Sequence, residues 1–208
     1  MDSSWLGRRS TAVWIGASFL ASSVLVLGIL LGIGVNERGV DLSLQVTARL
    51  SFLLFLPAYI GSSAAVLLGP MFEFPRDQAR DFGLAFASAQ LVHLGMVVTL
   101  CGLGAMPPAP TFLIFGMAAV WLYAIALLSI GNLHRRVSPR TSRTMLLMGM
   151  NYIMLAFALD FFRKGPPDSL KTSLAYAPFQ LLVVAAMLIR FSAFSRRLID
   201  RAIPKRII

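Results

Sequence analysis

Few side chains in this 208-residue chain could carry chemistry: it has two histidines and a single cysteine. His93 stands in ASAQLVHLGMVV, a run of mostly small and apolar residues. A neutral imidazole in such surroundings can ligate haem iron through one ring nitrogen while a carbonyl or hydroxyl holds the other. The commoner arrangement is a histidine hydrogen-bonded to a neighbouring helix, and spacing alone favours it. His134, in GNLHRRVSPR, reads as an interfacial residue of a basic loop; its functional alternative is to receive an acidic partner, a flavin phosphate or a haem propionate. Asp160 lies three residues before Arg163, a spacing that suits an ion pair on one helix face, with a proton or quinone role as the alternative. Arg49 and Arg190 fall near the ends of apolar runs, where a long cation snorkels to a headgroup or clamps a propionate. Asn151, Met145, Met148, Met150 and Met154 stud one segment, and methionines at helical spacing are most often adaptable packing.

Motifs of soluble enzymes are missing. The chain has no Gly-rich phosphate loop, H-E-x-x-H, C-x-x-C or G-x-S-x-G. Cys101 is alone, so neither a disulfide framework nor a thiolate metal cluster is expected.

The elements that must position these residues follow from composition. The chain is 57% hydrophobic and 13% charged, with mean hydropathy +0.76, too apolar for a wetted surface. A helix needs about 20 apolar residues to cross a bilayer. Six stretches reach that length, near 13–33, 48–69, 82–104, 111–131, 144–162 and 174–194. They lack the period-two alternation of a barrel, so the expected fold is an all-α integral membrane protein, a six-helix bundle forming one domain over 1–208. The first run is longer than a signal-peptide core and has no A-x-A site, which predicts a retained helix; Arg8 and Arg9 before it read as topogenic charge. With a cytoplasmic N-terminus, thirteen of the 19 cations fall inside: Arg8, Arg9, Arg76, Arg80, Arg135, Arg136, Arg140, Arg143, Arg196, Arg197, Arg201, Lys205 and Arg206. Arg38, Arg49, Arg163, Lys164 and Lys171 stay outside. This predicts both termini cytoplasmic. The net charge of +10 then reflects topology and anionic inner-leaflet lipid, with no nucleic-acid partner expected.

Connections are short and leave no room for a nucleotide or flavin module. MPPAP (106–110) and KGPPDS (164–169) are breakers, and in VSPRTSR either Thr141 or Ser142 suits a cap for the fifth helix. The tail FSRRLIDRAIPKRII is expected to continue the last helix onto the membrane surface. Gly83, Ala85, Ala87, Ser88, Ala89 and Gly95 give the third helix a thin wall, suited to a flat macrocycle or a close neighbour.

TARLSFLLFLPAY, RDFGLAFASAQLVHL, NLHRRVSPRTSR and LIRFSAF, in that order over roughly residues 45–197, resemble the ferric-reductase-like transmembrane domain. Within that family the chain is most similar to the small six-helix haem-binding membrane subunits of periplasmic methionine sulfoxide reductase systems. The resemblance implies a bacterial inner-membrane location. It also implies haem ligation by His93, reached through Arg80, Gly83 and Phe86, and a family arginine at Arg49, where Ala48 replaces a preceding glycine. The family places two further haem-ligating histidines on the fifth helix, here TMLLMGMNYIMLAFALDFF, and their positions hold Met145 and Ala158.

A family-type bis-histidine haem b is therefore not expected. A His/Met haem with Met154 as partner, a macrocycle held by His93 alone, and a fold without its cofactor are the remaining possibilities. The loss of both partner ligands favours the last: an accessory or scaffold subunit, binding another membrane or periplasmic protein. The alternative is an electron-transfer subunit passing electrons through haem on His93 to an external reductase, with no catalytic residues of its own. A transporter would need facing polar groups that the helices scarcely offer.

Overall fold

The computed structural model describes residues 3–130, 137–163 and 170–202, with side chains at 10–130, 137–163 and 175–200. His134, Arg135, Arg136, Lys164, Lys205 and Arg206 lie outside the described residues, as do the side chains of Arg8, Arg9, Lys171 and Arg201. Seven α-helices account for nearly all of the described chain: α1 (Ser3–Ile33), α2 (Glu37–Leu68), α3 (Glu73–Asp77), α4 (Ala79–Gly102), α5 (Ala109–Ile130), α6 (Pro139–Arg163) and α7 (Leu170–Ala202). No strand occurs among the described residues. All but α3 are long and apolar enough to cross a bilayer, and the protein is an all-α integral membrane protein.

Several ends differ from the sequence expectation, each for a local reason. α2 starts eleven residues before position 48, because the Asn36 side chain accepts from Gly39 N and caps it. Its 32 residues span about 48 Å at 1.5 Å per residue, more than a hydrocarbon core, so its polar first turns lie beyond the apolar slab. α6 is capped by Ser138, whose Oγ accepts from Thr141 N at 3.1 Å, and not by Thr141 or Ser142. Pro139 then fills the first helical position, where a missing N–H costs nothing. α7 runs through to Ala202, so the basic tail does continue the last helix as far as it is described.

Hydrogen bonds made by side chains define one end of the bundle. Thr11 donates to Asp81 Oδ1 at 2.7 Å, Arg80 reaches Ser129 O at 2.8 Å and Arg197 reaches Ser62 O at 3.3 Å. The start of α1, the ends of α2 and α5, the start of α4 and the end of α7 therefore meet there. A long crossing helix between each pair of turns puts Arg49, the end of α4 and the start of α5 at the other end.

The interior is aromatic at its centre. Phe52 is fully buried and makes edge contacts with Phe157 and Phe161 at centroid separations of 5.2 and 5.1 Å. Phe55 meets Phe86 at 5.2 Å and Phe157 at 5.6 Å. Such tilted pairs add about 0.5–1.5 kcal/mol each beyond burial, useful where lipid supplies no hydrophobic drive between helices. Small residues supply the rest: Ser43, Thr47 and Ser51, spaced by four on α2, and Ala85 and Ala89 on α4 are all fully buried.

The tightest approaches between helices involve different glycines from those the sequence suggests. A Cβ at Gly83 or Gly95 would meet nothing within 4 Å, so neither marks a close helix contact. A Cβ at Gly61 would stand 2.8 Å from Pro75 O and 3.0 Å from Arg76 N, and one at Gly149 would stand 3.0 Å from Trp121 Cε3. Gly61 thus lets the α3 backbone lie on α2, and Gly149 lets α6 lie against α5.

Candidate functional site

Two of the three residues singled out as possible cofactor ligands come together. His93 of α4 and Arg49 of α2 line one cavity of about 350 Å³, between the Arg49-end halves of α2, α4, α5, α6 and the start of α7. Gln90, Asp160, Phe157 and Tyr176 share its wall. Met154 does not line it: its side chain is 1% exposed and packs into the core cluster. Ile153, Ala156 and Phe157 carry the cavity-facing side of α6, and Met154, weighed as one possible partner of His93, is not among the lining residues.

The hydrogen bonds around Thr47 bear on the imidazole's tautomer. Thr47 Oγ1 lies 2.7 Å from Ser43 O and 2.9 Å from His93 Nδ1. A hydroxyl has one proton, and the shorter contact is to a carbonyl that can only accept. If that proton goes to Ser43, Nδ1 carries the ring proton and donates to Thr47, with the Leu44 carbonyl also against the ring. The lone imidazole is held to a neighbouring helix through Thr47.

Arg49 is held by rings and not by acids. Its guanidinium carbon sits 4.8 Å from the centre of Tyr176 and 5.6 Å from that of Phe179, a cation–π arrangement. Nε and Nη2 are enclosed and have no hydrogen-bond partner. It does not snorkel out. Gln90, which the sequence reading passed over, also has its Oε1 enclosed without a partner. Gln90 and His93 are three residues apart on one helix face, and that spacing was the available signal.

The remaining candidates are placed elsewhere. Arg163 does not pair with Asp160: it donates to Thr111 Oγ1 at 2.7 Å and ties the end of α6 to the start of α5. Asn151 accepts from the Tyr59 hydroxyl at 3.0 Å. Arg190 lies over the Tyr59 ring at 4.2 Å and donates to Tyr59 O at 3.2 Å, in a second cavity of about 430 Å³ at the opposite end of the bundle. Met150 lines that second cavity, while Met148 is 55% exposed on the outer surface. Phe86, Leu122 and Ile153 line both cavities, so one layer of side chains divides them. Among the described residues no three His, Cys, Asp or Glu side chains cluster as a metal site.

Comparison with protein-family models, with curated proteins and with solved structures finds no match to this chain.

Proposed function

We propose that the protein is an accessory subunit of a membrane complex whose own contribution is the Arg49 cavity, where one mostly apolar molecule is held by an acidic group. The observation that supports this is the orphaned edge of Arg49. Nε and Nη2 are the two nitrogens that pair side-on with a carboxylate, and both are enclosed without an acceptor. A buried donor left unmade costs about 1–3 kcal/mol, and a carboxylate brought by a ligand removes that cost once the guanidinium turns off Tyr176 toward the cavity. The cavity's size lies at the small end of the range of ordinary ligand pockets, about 300–1,000 Å³, and its walls are largely aromatic and aliphatic.

A second reading rests on a separate observation, the His93 imidazole in the wall of the same cavity. In it the ligand would be a single b-type haem, with Arg49 placed to hold a propionate and His93 the residue that would hold the iron. The haem would supply one-electron chemistry, and the chain would be an electron-transfer subunit of a bacterial inner membrane, as its similarity to ferric-reductase-like transmembrane domains suggests.

Protein purified in detergent and examined by native mass spectrometry and by reduced-minus-oxidised absorbance tests both. An accessory subunit gives a colourless protein carrying one acidic molecule that Arg49→Met loses. A haem subunit gives a Soret band that His93→Ala loses. Wild-type protein that carries neither overturns both.

A further inference from the structure

The cavity at the other end of the bundle has a different chemistry, and it is independent of what occupies the Arg49 cavity. Three arginines from two helices line it: Arg80 in the first turn of α4, and Arg190 and Arg197 on α7. The two on α7 are seven residues apart and so share a face. Each is tethered by one nitrogen to a helix carbonyl: Arg80 Nη2 to Ser129 O, Arg190 Nη1 to Tyr59 O and Arg197 Nη2 to Ser62 O, at 2.8, 3.2 and 3.3 Å. Among the described residues no carboxylate lines the cavity. Asp81, next to Arg80 in sequence, is engaged by Thr11 of α1, and Asp200 is absent from the lining. Among the described residues three cations converge on one space with no carboxylate in its lining, each already oriented and with further N–H groups unspent.

We infer that this cavity is a specific site for the headgroup phosphate of an anionic phospholipid. Arg80 and Arg197 are exposed and form the rim, while Arg190 sits deeper and half-buried. Beside the cations the wall is apolar, through Leu146, Leu147, Met150 and Phe194, and Leu146, Leu147 and Phe194 are exposed on the flank of the bundle. A free phosphate would use only the rim. An amphiphile uses both, its phosphate across the guanidinium groups and its acyl chain along α6 and α7. Basic pockets between spanning helices are the usual form of headgroup site, and arginine's fork suits phosphate better than a point charge does.

The test uses the full-length protein, stripped of lipid in a non-ionic detergent and titrated with phosphatidylglycerol, phosphatidylcholine or inorganic phosphate while thermal unfolding and bound-lipid stoichiometry are read. The expected result is about tenfold preference for phosphatidylglycerol over phosphatidylcholine, with no shift from phosphate alone. Arg80→Gln and Arg197→Gln should each reduce that preference, and both together should bring it close to parity. Their exposed guanidinium groups mean that neither variant depends on a packing change. Arg196→Gln is the control, because Arg196 lies at the same end, bonds Val66 O and does not line the cavity; it should leave the preference intact. Equal losses from Arg196→Gln and Arg197→Gln would show diffuse surface attraction and overturn the site. Wild-type selectivity in the double variant would overturn it as well, and a full shift with inorganic phosphate would replace the lipid with a free anion.

Discussion

Thr47 Oγ1 and His93 Nδ1 stand 2.9 Å apart, joining α2 to α4 and orienting the imidazole. Thr47→Val keeps the shape and removes the hydroxyl, leaving Nδ1–H without its acceptor. The expected loss is about 1–3 kcal/mol, read by equilibrium unfolding in detergent. Thr47→Ser retains the hydroxyl and should lose less than half as much. Equal stability of Thr47→Val and wild type would show that the contact does not hold the ring.

Arg49 should show opposite effects on stability and on binding. Arg49→Met preserves length and apolar bulk and removes a buried fork that lacks an acceptor, so the ligand-free protein should unfold at the same or higher temperature than wild type. Ligand retention should be lost, and Arg49→Lys should recover only part of it, because an ammonium cannot pair side-on. A thermal shift of wild type by added ligand, missing in Arg49→Met, is the measurement that reports this.

Gly61 and Gly83 are both helical, yet they should respond differently to alanine. A Cβ at Gly61 runs into the backbone of Pro75 and Arg76, which cannot move aside without lifting α3 off α2. Gly61→Ala should cost about 1–3 kcal/mol. Gly83→Ala meets nothing within 4 Å and should be neutral or stabilising by up to about 1 kcal/mol. A mild Gly61→Ala would contradict the packing of α3 described above.

Phe86 separates the two cavities and is 2% exposed. Phe86→Ala should join them and cost about 3–5 kcal/mol; a loss below about 1 kcal/mol would mean that the dividing layer is not closed by this ring.

The six spans were legible because hydrophobic length alone specifies a crossing helix, and the composition is decisive on that point. The helix ends were less so. Asn36 and Ser138 extend α2 and α6 through single cap bonds, which a hydropathy run does not register. His93 and Arg49 stood out as polar groups at membrane depth, and the structure brings them into one cavity. Met154 was judged by depth alone, and depth does not say which way a helix face turns. The arginine cavity was hidden because Arg80 and Arg190 are far apart in sequence, and topogenic charge and a built anion site look alike when each residue is read singly. The seven-residue step from Arg190 to Arg197 was the one local hint.

The central claim, that the Arg49 cavity holds one acidic ligand, is tested most directly by native mass spectrometry of wild-type and Arg49→Met protein prepared side by side in detergent. The account predicts a single bound molecule of defined mass on the wild type, acidic once extracted, and its loss from Arg49→Met at unchanged yield and fold. Identical spectra for the two proteins, both bare or both carrying the same adduct, would contradict it.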